Sequence, residues 1–199
     1  MFTVVIPARY GSTRLPGKAL LRINDKPMIA WVWEQAMRAG AARVCIATDD
    51  ARIRDEMVGR GAEVLMTDAA HTSGTDRLAE VVQQLSLADD SIIVNLQGDE
   101  PLMPVANIQR VAAMLSEQSN ADMATLMEPL AIEEVDKASV VKVVVSETGR
   151  ALYFSRAAIP SRRGDNVAPV SHRHIGLYAY RAHFLLRFVS WPPAAIEQS

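Results

Sequence analysis

Three basic side chains follow the first apolar run of the chain, within a segment rich in Gly, Pro and Ser. The segment is P-A-R-Y-G-S-T-R-L-P-G-K, and it contains Arg9, Arg14 and Lys18 but no acidic residue. Guanidinium groups pair with phosphate oxygens, and an ammonium group adds a compact positive charge. The alternative is a solvated basic turn. We favour a phosphate-binding loop, because three unopposed cations follow one predicted strand.

The segment does not follow the two common nucleotide-binding patterns. Five residues separate Gly11 from Gly17, and Ala19 takes the place of the Ser or Thr of a Walker loop. No G-x-G-x-x-G occurs in the sequence. The sequence of this loop therefore predicts phosphate binding by basic side chains on a turn that contains glycines.

The charge distribution favours a small anionic ligand. The formal net charge of −2 argues against a nucleic-acid-binding protein with a broad basic face. Residues 1–24 contain four basic residues and no acidic one. The other 17 basic residues are set against all 23 acidic ones, so the rest of the chain has a net charge of −6. A local basic cluster in such a chain indicates a small anion rather than a polymer.

A second polar motif, Q-G-D-E-P (97–101), directly follows the apolar run SIIVNL. A carboxylate at the end of a buried strand faces the ligand-binding edge of a sheet. Asp99 is the natural Mg²⁺ ligand there, because Mg²⁺ takes one or two carboxylates and shares phosphate oxygens for the rest. The alternative is that Asp99 or Glu100 caps the helix that follows Pro101. We favour the metal site.

A third motif, H-T-S-G-T-D-R (71–77), precedes an apolar helical stripe that begins at Leu78. Ser73 and neighbouring backbone groups are candidates to contact a base or ribose, and Arg77 would reach the same ligand from the first helical turn. The alternative is purely structural, with Thr75 as the N-cap of the helix. On these residues alone the structural interpretation prevails.

The elements that position these motifs alternate between strand and helix. Apolar runs predict strands, and amphipathic segments with proline or capping residues at their start predict helices. The predicted strands are Phe2–Ile6, Arg43–Thr48, Ala62–Met66 and Ser91–Leu96, and the predicted helices are Pro27–Ala39, Ala51–Gly59, Thr75–Leu87 and Pro104–Gln118. Apolar strands separated by helices indicate an α/β fold with a mainly parallel sheet covered by helices. Polar residues collect beyond the strands' carboxyl ends, where ligands bind in such sheets.

The pattern changes after residue 120 to a smaller, antiparallel β-rich part. The predicted strands are Val140–Val145, Ala151–Phe154 and His174–Tyr180. Alternation places His174, Gly176, Tyr178 and Tyr180 on one face of the last strand, which suits a hydroxylated ligand. We predict a single domain over 1–199, with a nucleotide-binding core at 1–120 and a part at 121–199 that binds the second substrate and forms a dimer.

Bulk properties limit where the protein acts. No apolar run approaches the roughly 20 residues that span a bilayer, so we expect no membrane association. The first residues lack the charged region of a secretory signal. The single cysteine, Cys45, forms no internal disulfide, which is compatible with a cytoplasmic location.

Taken together, the motifs resemble the 3-deoxy-manno-octulosonate cytidylyltransferase (CMP-Kdo synthetase) family. The segments that resemble it are IPARYGSTRLPGK, DAAHTSGTDRLAE, VNLQGDEP, VVKVV, ALYFSRAAIP and HIGLYAYR, in that family's order and over nearly the whole chain. The first segment alone would admit other sugar nucleotidyltransferases, including CMP-sialate synthetase. The resemblance implies a Rossmann-like nucleotidyltransferase fold and a homodimer that uses CTP, Kdo and Mg²⁺ in lipopolysaccharide biosynthesis.

The resemblance also implies roles for individual residues. The nucleotide would be held by Ala8, Arg9, Arg14, Lys18, Ser73 and Arg77. Catalysis would depend on Arg14, Lys18 and the Mg²⁺ ligand Asp99. The sugar acid would be bound by Gln97, Arg156 or Arg163, His174, Tyr178, Glu197 and Gln198.

One departure from the family pattern leaves two alternatives. Family members continue past the equivalent of Ser199 through a helix and a strand that carry a second Mg²⁺-binding aspartate, and this segment is missing here. One alternative to Kdo activation is a related nucleotidyltransferase with another acceptor. The other is a truncated nucleotide-binding module without turnover.

Overall fold

The computed structural model describes residues 1–11, 15–161 and 171–195. Its elements are, in chain order, β1 (Phe2–Ala8), β2 (Arg22–Ile23), β3 (Lys26–Pro27), α1 (Met28–Arg38), β4 (Arg43–Thr48), α2 (Ala51–Val58), β5 (Glu63–Met66), α3 (Gly74–Gln84), β6 (Ile92–Asn95), α4 (Val105–Glu117), β7 (Met123–Pro129), β8 (Lys142–Val145), β9 (Ala151–Ser155), β10 (His172–Arg181) and α5 (Ala182–Phe188). None of the helices in the described ranges reaches the length and apolar character that crossing a bilayer requires.

The chain divides into two compact units, and the division differs from the predicted one. The second unit is Thr125–Gly176, and the first contains Met1–Ala124 together with the residues from Leu177 onward. We predicted that everything after residue 120 belongs to the second part. Residues from Leu177 return to the first unit because the end of β10 pairs with β6, where Tyr178 lies opposite Asn95.

The first unit is built on a parallel sheet, as the sequence predicted. β1 pairs in parallel with β4 on one side and β6 on the other, and β5 extends the sheet beyond β4. All eight strands and helices predicted before residue 120 are present, with ends shifted by at most three residues. Because parallel strands end at the same edge, the loops after β1, β4, β5 and β6 meet there.

The sequence did not predict the two short strands of the β2–β3 hairpin, strand β7 or helix α5. β7 has the sequence MATLMEP, which is rich in residues that favour helices. Its pairing with β10 overrides that local preference. A local sequence pattern does not reveal pairing between strands that are distant in the chain.

Helices cover both faces of the parallel sheet. The face that carries Val5, Cys45 and Ile93 packs against buried side chains of α3 and α5. The alternate residues of the same strands, such as Val4 and Ile46, are also fully buried. α1 contacts β1 and β4, and α4 contacts β6 and α1. Burial raises the pKa of the Cys45 thiol to about 12, so this cysteine stays protonated and unreactive in the folded protein.

The second unit contains a buried lysine. β8 pairs with β9 and with the first part of β10, in both cases antiparallel. Lys142, at the start of β8, is fully buried. Its ammonium group donates hydrogen bonds to the backbone oxygens of Lys137 at 2.9 Å, Val140 at 2.8 Å and Arg156 at 2.6 Å. One side chain therefore holds together the loop before β8 and the end of β9.

Replacing Lys142 by Met tests this role. Met keeps the apolar stem but leaves three carbonyls without their donor, so we expect the free energy of unfolding to fall by about 3 kcal/mol. Urea denaturation followed by circular dichroism measures the change. Lys137→Met, at an exposed lysine of the same unit, is the control and should change stability by less than about 0.5 kcal/mol. Equal stability of both variants would contradict the role of Lys142.

Candidate functional site

A cavity of about 640 Å³ lies at the carboxyl-terminal edge of the parallel sheet in the first unit. Its walls come from the three motifs singled out in the sequence. Among the predicted site residues it is lined by Ala8, Arg9, Lys18, Ser73, Arg77, Gln97 and Asp99. The structure thus brings together seven predicted residues from three separate stretches of the chain.

Lys18 and Asp99 form the central contact of the cavity. The Lys18 ammonium lies 2.7 Å from a carboxylate oxygen of Asp99, and about half of each side chain is exposed. Asp99 therefore does not cap the next helix. That helix, α4, begins only at Val105, and its N-cap residue Pro104 makes no side-chain cap. The capping alternative is wrong, and Asp99 faces the ligand cavity.

Two glycines allow the loops that bear these charges to approach each other. Gly17 has φ +71°, and its N–H donates to the Tyr10 carbonyl at 2.8 Å, which closes the first turn before Lys18. A β-carbon on Gly98 would lie 2.9 Å from the Pro7 oxygen. Only glycine lets the 97–99 loop pack this closely against the end of β1. That packing brings Asp99 to the basic turn.

The start of α3 forms the second wall of the cavity. Its N-cap is Ser73. The sequence interpretation that made Thr75 the N-cap is therefore wrong. The Ser73 hydroxyl accepts from the Asp76 N–H at 3.1 Å, and the Asp76 carboxylate accepts from the Ser73 N–H at 3.0 Å. This reciprocal pair is a capping box. Gly74 packs against Pro7, where an added β-carbon would come within 3.4 Å of the ring. The first turn of α3 therefore lies beside the end of β1.

Arg77 is a buried cation in this wall, with only 3% of its surface exposed. Its guanidinium donates to the hydroxyl of Thr67 and lies 3.5 Å from the carboxylate of Asp49. One oxygen of that carboxylate is buried and has no hydrogen-bond partner among the described residues. A buried guanidinium held in this way offers fixed donors to a ligand.

His71 also lines the cavity, although no local sequence pattern assigns it a role. Its Nε2 lies 2.6 Å from the carboxylate of Glu80 on α3. His71, Asp49 and Thr67 all belong to the polar loops predicted at the sheet edge. Their individual contacts depend on partners that no local pattern identifies.

The predicted sugar-acid residues of the first unit have different environments. Gln97 lines the cavity, and its amide lies 3.3 Å from the Asn95 side-chain oxygen. Tyr178 stacks on Tyr180 with ring centroids 6.1 Å apart, and burial raises the pKa of Tyr178. Tyr180 is only 3% exposed and packs in the core beneath α3 and α5. The predicted ligand-facing aromatic surface therefore does not include Tyr180.

In the second unit, Arg156 and His174 have protein partners. The Arg156 guanidinium donates to the Ala138 oxygen at 2.9 Å. The His174 ring lies 3.0 Å from the Thr125 hydroxyl and edge-on to Phe154, and burial lowers the pKa of His174. Arg14, Arg163, Glu197 and Gln198 lie outside the described residues.

Comparison with known proteins agrees with this geometry. Residues 3–199 match the cytidylyltransferase family. The chain is 52% identical to 3-deoxy-manno-octulosonate cytidylyltransferase of Idiomarina loihiensis, covering 99% of this chain and 81% of that protein. It is 54% identical to the enzyme of the same name from Pseudomonas fluorescens, covering 100% and 82%.

Two solved structures show the same fold. One is CMP:2-keto-3-deoxy-manno-octonic acid synthetase complexed with CTP, with a TM-score of 0.93 and 42% identity over 100% of this chain and 81% of that one. The other is a cytidylyltransferase from Leptospira borgpetersenii, with a TM-score of 0.60 and 18% identity over 99% and 67%. With the motifs converging on one cavity, these matches show that the chain belongs to the 3-deoxy-manno-octulosonate cytidylyltransferase family.

Proposed function

We propose that the chain transfers CMP from CTP to Kdo, releasing pyrophosphate and supplying CMP-Kdo for lipopolysaccharide biosynthesis. The observation that carries the proposal is the 2.7 Å approach of Lys18 to Asp99 in a cavity also lined by Arg9 and Arg77. Binding of a nucleoside triphosphate with its metal ion requires cations and a metal-binding carboxylate at one site. The relatives at 52–54% identity bear the name of this activity, and the solved relative at 42% holds CTP.

The reaction joins the anomeric oxygen of Kdo to the α-phosphorus of CTP and breaks the bond between the α- and β-phosphates. The anomeric hydroxyl gives up its proton to solvent water, and pyrophosphate leaves with the bonding electron pair. Such phosphoryl chemistry depends on in-line positioning and charge neutralisation, without a covalent nucleophile. Lys18 and Arg14 would neutralise the departing pyrophosphate, and Arg9 would hold the triphosphate. Arg77 would hold the nucleoside, and Gln97 would contact the sugar acid.

The residues of the cavity fit Mg²⁺ as the cofactor. Asp99 supplies a half-exposed, hard oxygen donor, and the phosphates of CTP would supply further oxygens. No cluster of three or more His, Cys, Asp or Glu side chains occurs within residues 1–11, 15–161 and 171–195. A metal held by one carboxylate plus substrate phosphates needs no such cluster. Bound Mg²⁺ would supply charge neutralisation at the α-phosphate.

The homodimer and the cytoplasmic location are also part of the proposal. Strand β9 pairs with β8 alone among the described strands and exposes Leu152, Tyr153 and Phe154 by 65%, 49% and 41%. Such an apolar edge strand favours pairing with another chain, and we assign a second copy as that partner. A cytoplasmic location suits the single buried thiol, Cys45.

Pyrophosphate release across substrates tests the proposed activity. We expect turnover with CTP and Kdo and far less with UTP or GTP, or with sialate as acceptor. The assay separates Kdo activation from a related sugar nucleotidyltransferase. CTP binding without turnover on any acceptor would support a non-catalytic module and contradict the proposal.

Asp99→Asn and Lys18→Ala test the central contact. Each removes one preorganised charge, so kcat/KM should fall about a hundred- to a thousandfold while the protein stays folded. Asp55→Asn is the matched control, because Asp55 is an exposed acid on α2 whose ion pair among the described residues is with its neighbour Arg54. Near-normal pyrophosphate release by both site variants would refute the assignment.

Leu152→Glu tests the dimer surface. A charge on β9 should shift the protein from dimer to monomer in size-exclusion chromatography with light scattering, because a buried unpaired carboxylate opposes association. Leu102→Glu, at an exposed leucine of the first unit, should leave the dimer intact. A dimeric Leu152→Glu variant would contradict the assignment of β9.

A further inference from the structure

Tyr10 lies where the two described ends of the basic turn, residues 9–11 and 15–18, come together. Its carbonyl accepts the Gly17 N–H at 2.8 Å. Its ring packs against the same glycine, where an added β-carbon would lie 3.0 Å from two of the ring carbons. Gly17 is followed directly by Lys18, whose ammonium lies 2.7 Å from the Asp99 carboxylate. The position of the Tyr10 ring therefore affects where Lys18 enters the cavity.

A guanidinium group from α2 covers the Tyr10 ring. The Cζ atom of Arg52, in the first turn of α2, lies 3.3 Å from the ring centroid. A cation over the face of an aromatic ring is attracted by the negative potential of that face. The contact connects the basic turn after β1 to the helix after β4, and these two strands are paired in the sheet. The basic turn is therefore in contact with the neighbouring loop and helix of the sheet edge.

Asp50 holds the Arg52 guanidinium in this position. Its two carboxylate oxygens accept from Arg52 Nε at 2.9 Å and from Nη2 at 2.6 Å, which is a bidentate pair. The same carboxylate accepts the Arg52 N–H at 2.9 Å, as the N-cap of α2. The Asp50 N–H in turn donates to the hydroxyl of Thr48, a fully buried residue at the end of β4, at 3.2 Å. The hydrogen bond from the Arg52 side chain is the main cause of the lowered pKa of Asp50. The guanidinium is thereby connected to the sheet.

The stack of Arg52 on Tyr10 does not touch the ligand space itself. Neither residue belongs to the described lining of the cavity, and the Asp50 carboxylate offsets the charge of Arg52. Because 59% of the Arg52 side chain is exposed, its ion pair adds little to the stability of the fold. The stack can instead contribute order to the turn. A cation that is held in place before its ligand arrives loses less conformational entropy on binding.

We propose that Arg52 is a positioning residue: stacked on Tyr10 and held by Asp50, it fixes Gly17 and Lys18 in the position in which Lys18 binds the phosphates of the nucleotide. The inference rests on the proposed function, because it takes a nucleoside triphosphate as the ligand of the cavity. It deepens that function by giving a residue of α2 a part in phosphate binding. The sequence motifs at 7–18, 71–77 and 97–101 do not include Arg52.

Equilibrium binding of CTP to the full chain, measured by calorimetry with Mg²⁺ present, tests the inference. Arg52→Ala should raise the Kd for CTP about fivefold, the factor that corresponds to one exposed cation–π contact. In the pyrophosphate-release assay the KM for CTP should rise while kcat stays unchanged, because the fixed turn holds the nucleotide equally in the ground state and the transition state. Tyr10→Leu removes the aromatic face without changing any charge, and it should raise the Kd by the same factor.

A double variant and a matched control make the test specific to the stack. Arg52→Ala combined with Tyr10→Leu should bind CTP no more weakly than either single variant, because both substitutions remove the same contact. Arg54→Ala is the control, since Arg54 lies on the same helix in an exposed pair with Asp55, and it should leave the Kd unchanged. Equal Kd values for Arg52→Ala and Arg54→Ala, or losses that multiply in the double variant, would overturn the role of Arg52 alone. Failure of the unmodified protein to bind CTP would overturn the proposed function as well.

Discussion

The apposition of Lys18 and Asp99 is the contact on which the site depends. The two residues are far apart in sequence but follow β1 and β6, which are neighbouring parallel strands. Their carboxyl ends therefore meet at one edge, and Gly98 lets the 97–99 loop pack against the end of β1, where a β-carbon would lie 2.9 Å from the Pro7 oxygen. Because both side chains are half exposed, their ion pair adds little to stability. Its importance lies in placing opposite charges at one point of the cavity.

This pairing has a consequence for ligand binding. Where Lys18 and Asp99 pair, each charge compensates the other. A nucleoside triphosphate with its metal ion offers a new partner to each group at once: phosphate oxygens to Lys18 and the cation to Asp99. We therefore expect nucleotide and metal to bind together rather than one after the other.

The sequence predicted the sheet and the position of the site because both follow from short-range patterns. Apolar strands separated by helices define a parallel sheet, and its carboxyl edge collects the polar loops. The sequence did not show which partners hold the individual side chains. Arg77 is held by Asp49 and Thr67, and the Ser73 cap displaced the one expected at Thr75. Alternation placed Tyr180 on a face but could not show that α3 and α5 cover it.

A crystal structure with CTP and Mn²⁺ in place of Mg²⁺ would show whether Asp99 binds the metal ion while Lys18 binds the triphosphate. Anomalous scattering locates the metal independently of the protein density. We expect a metal peak about 2.1 Å from an Asp99 carboxylate oxygen, with the Lys18 ammonium in contact with the triphosphate. A metal bound elsewhere, with the Lys18–Asp99 pair intact beside bound CTP, would contradict it.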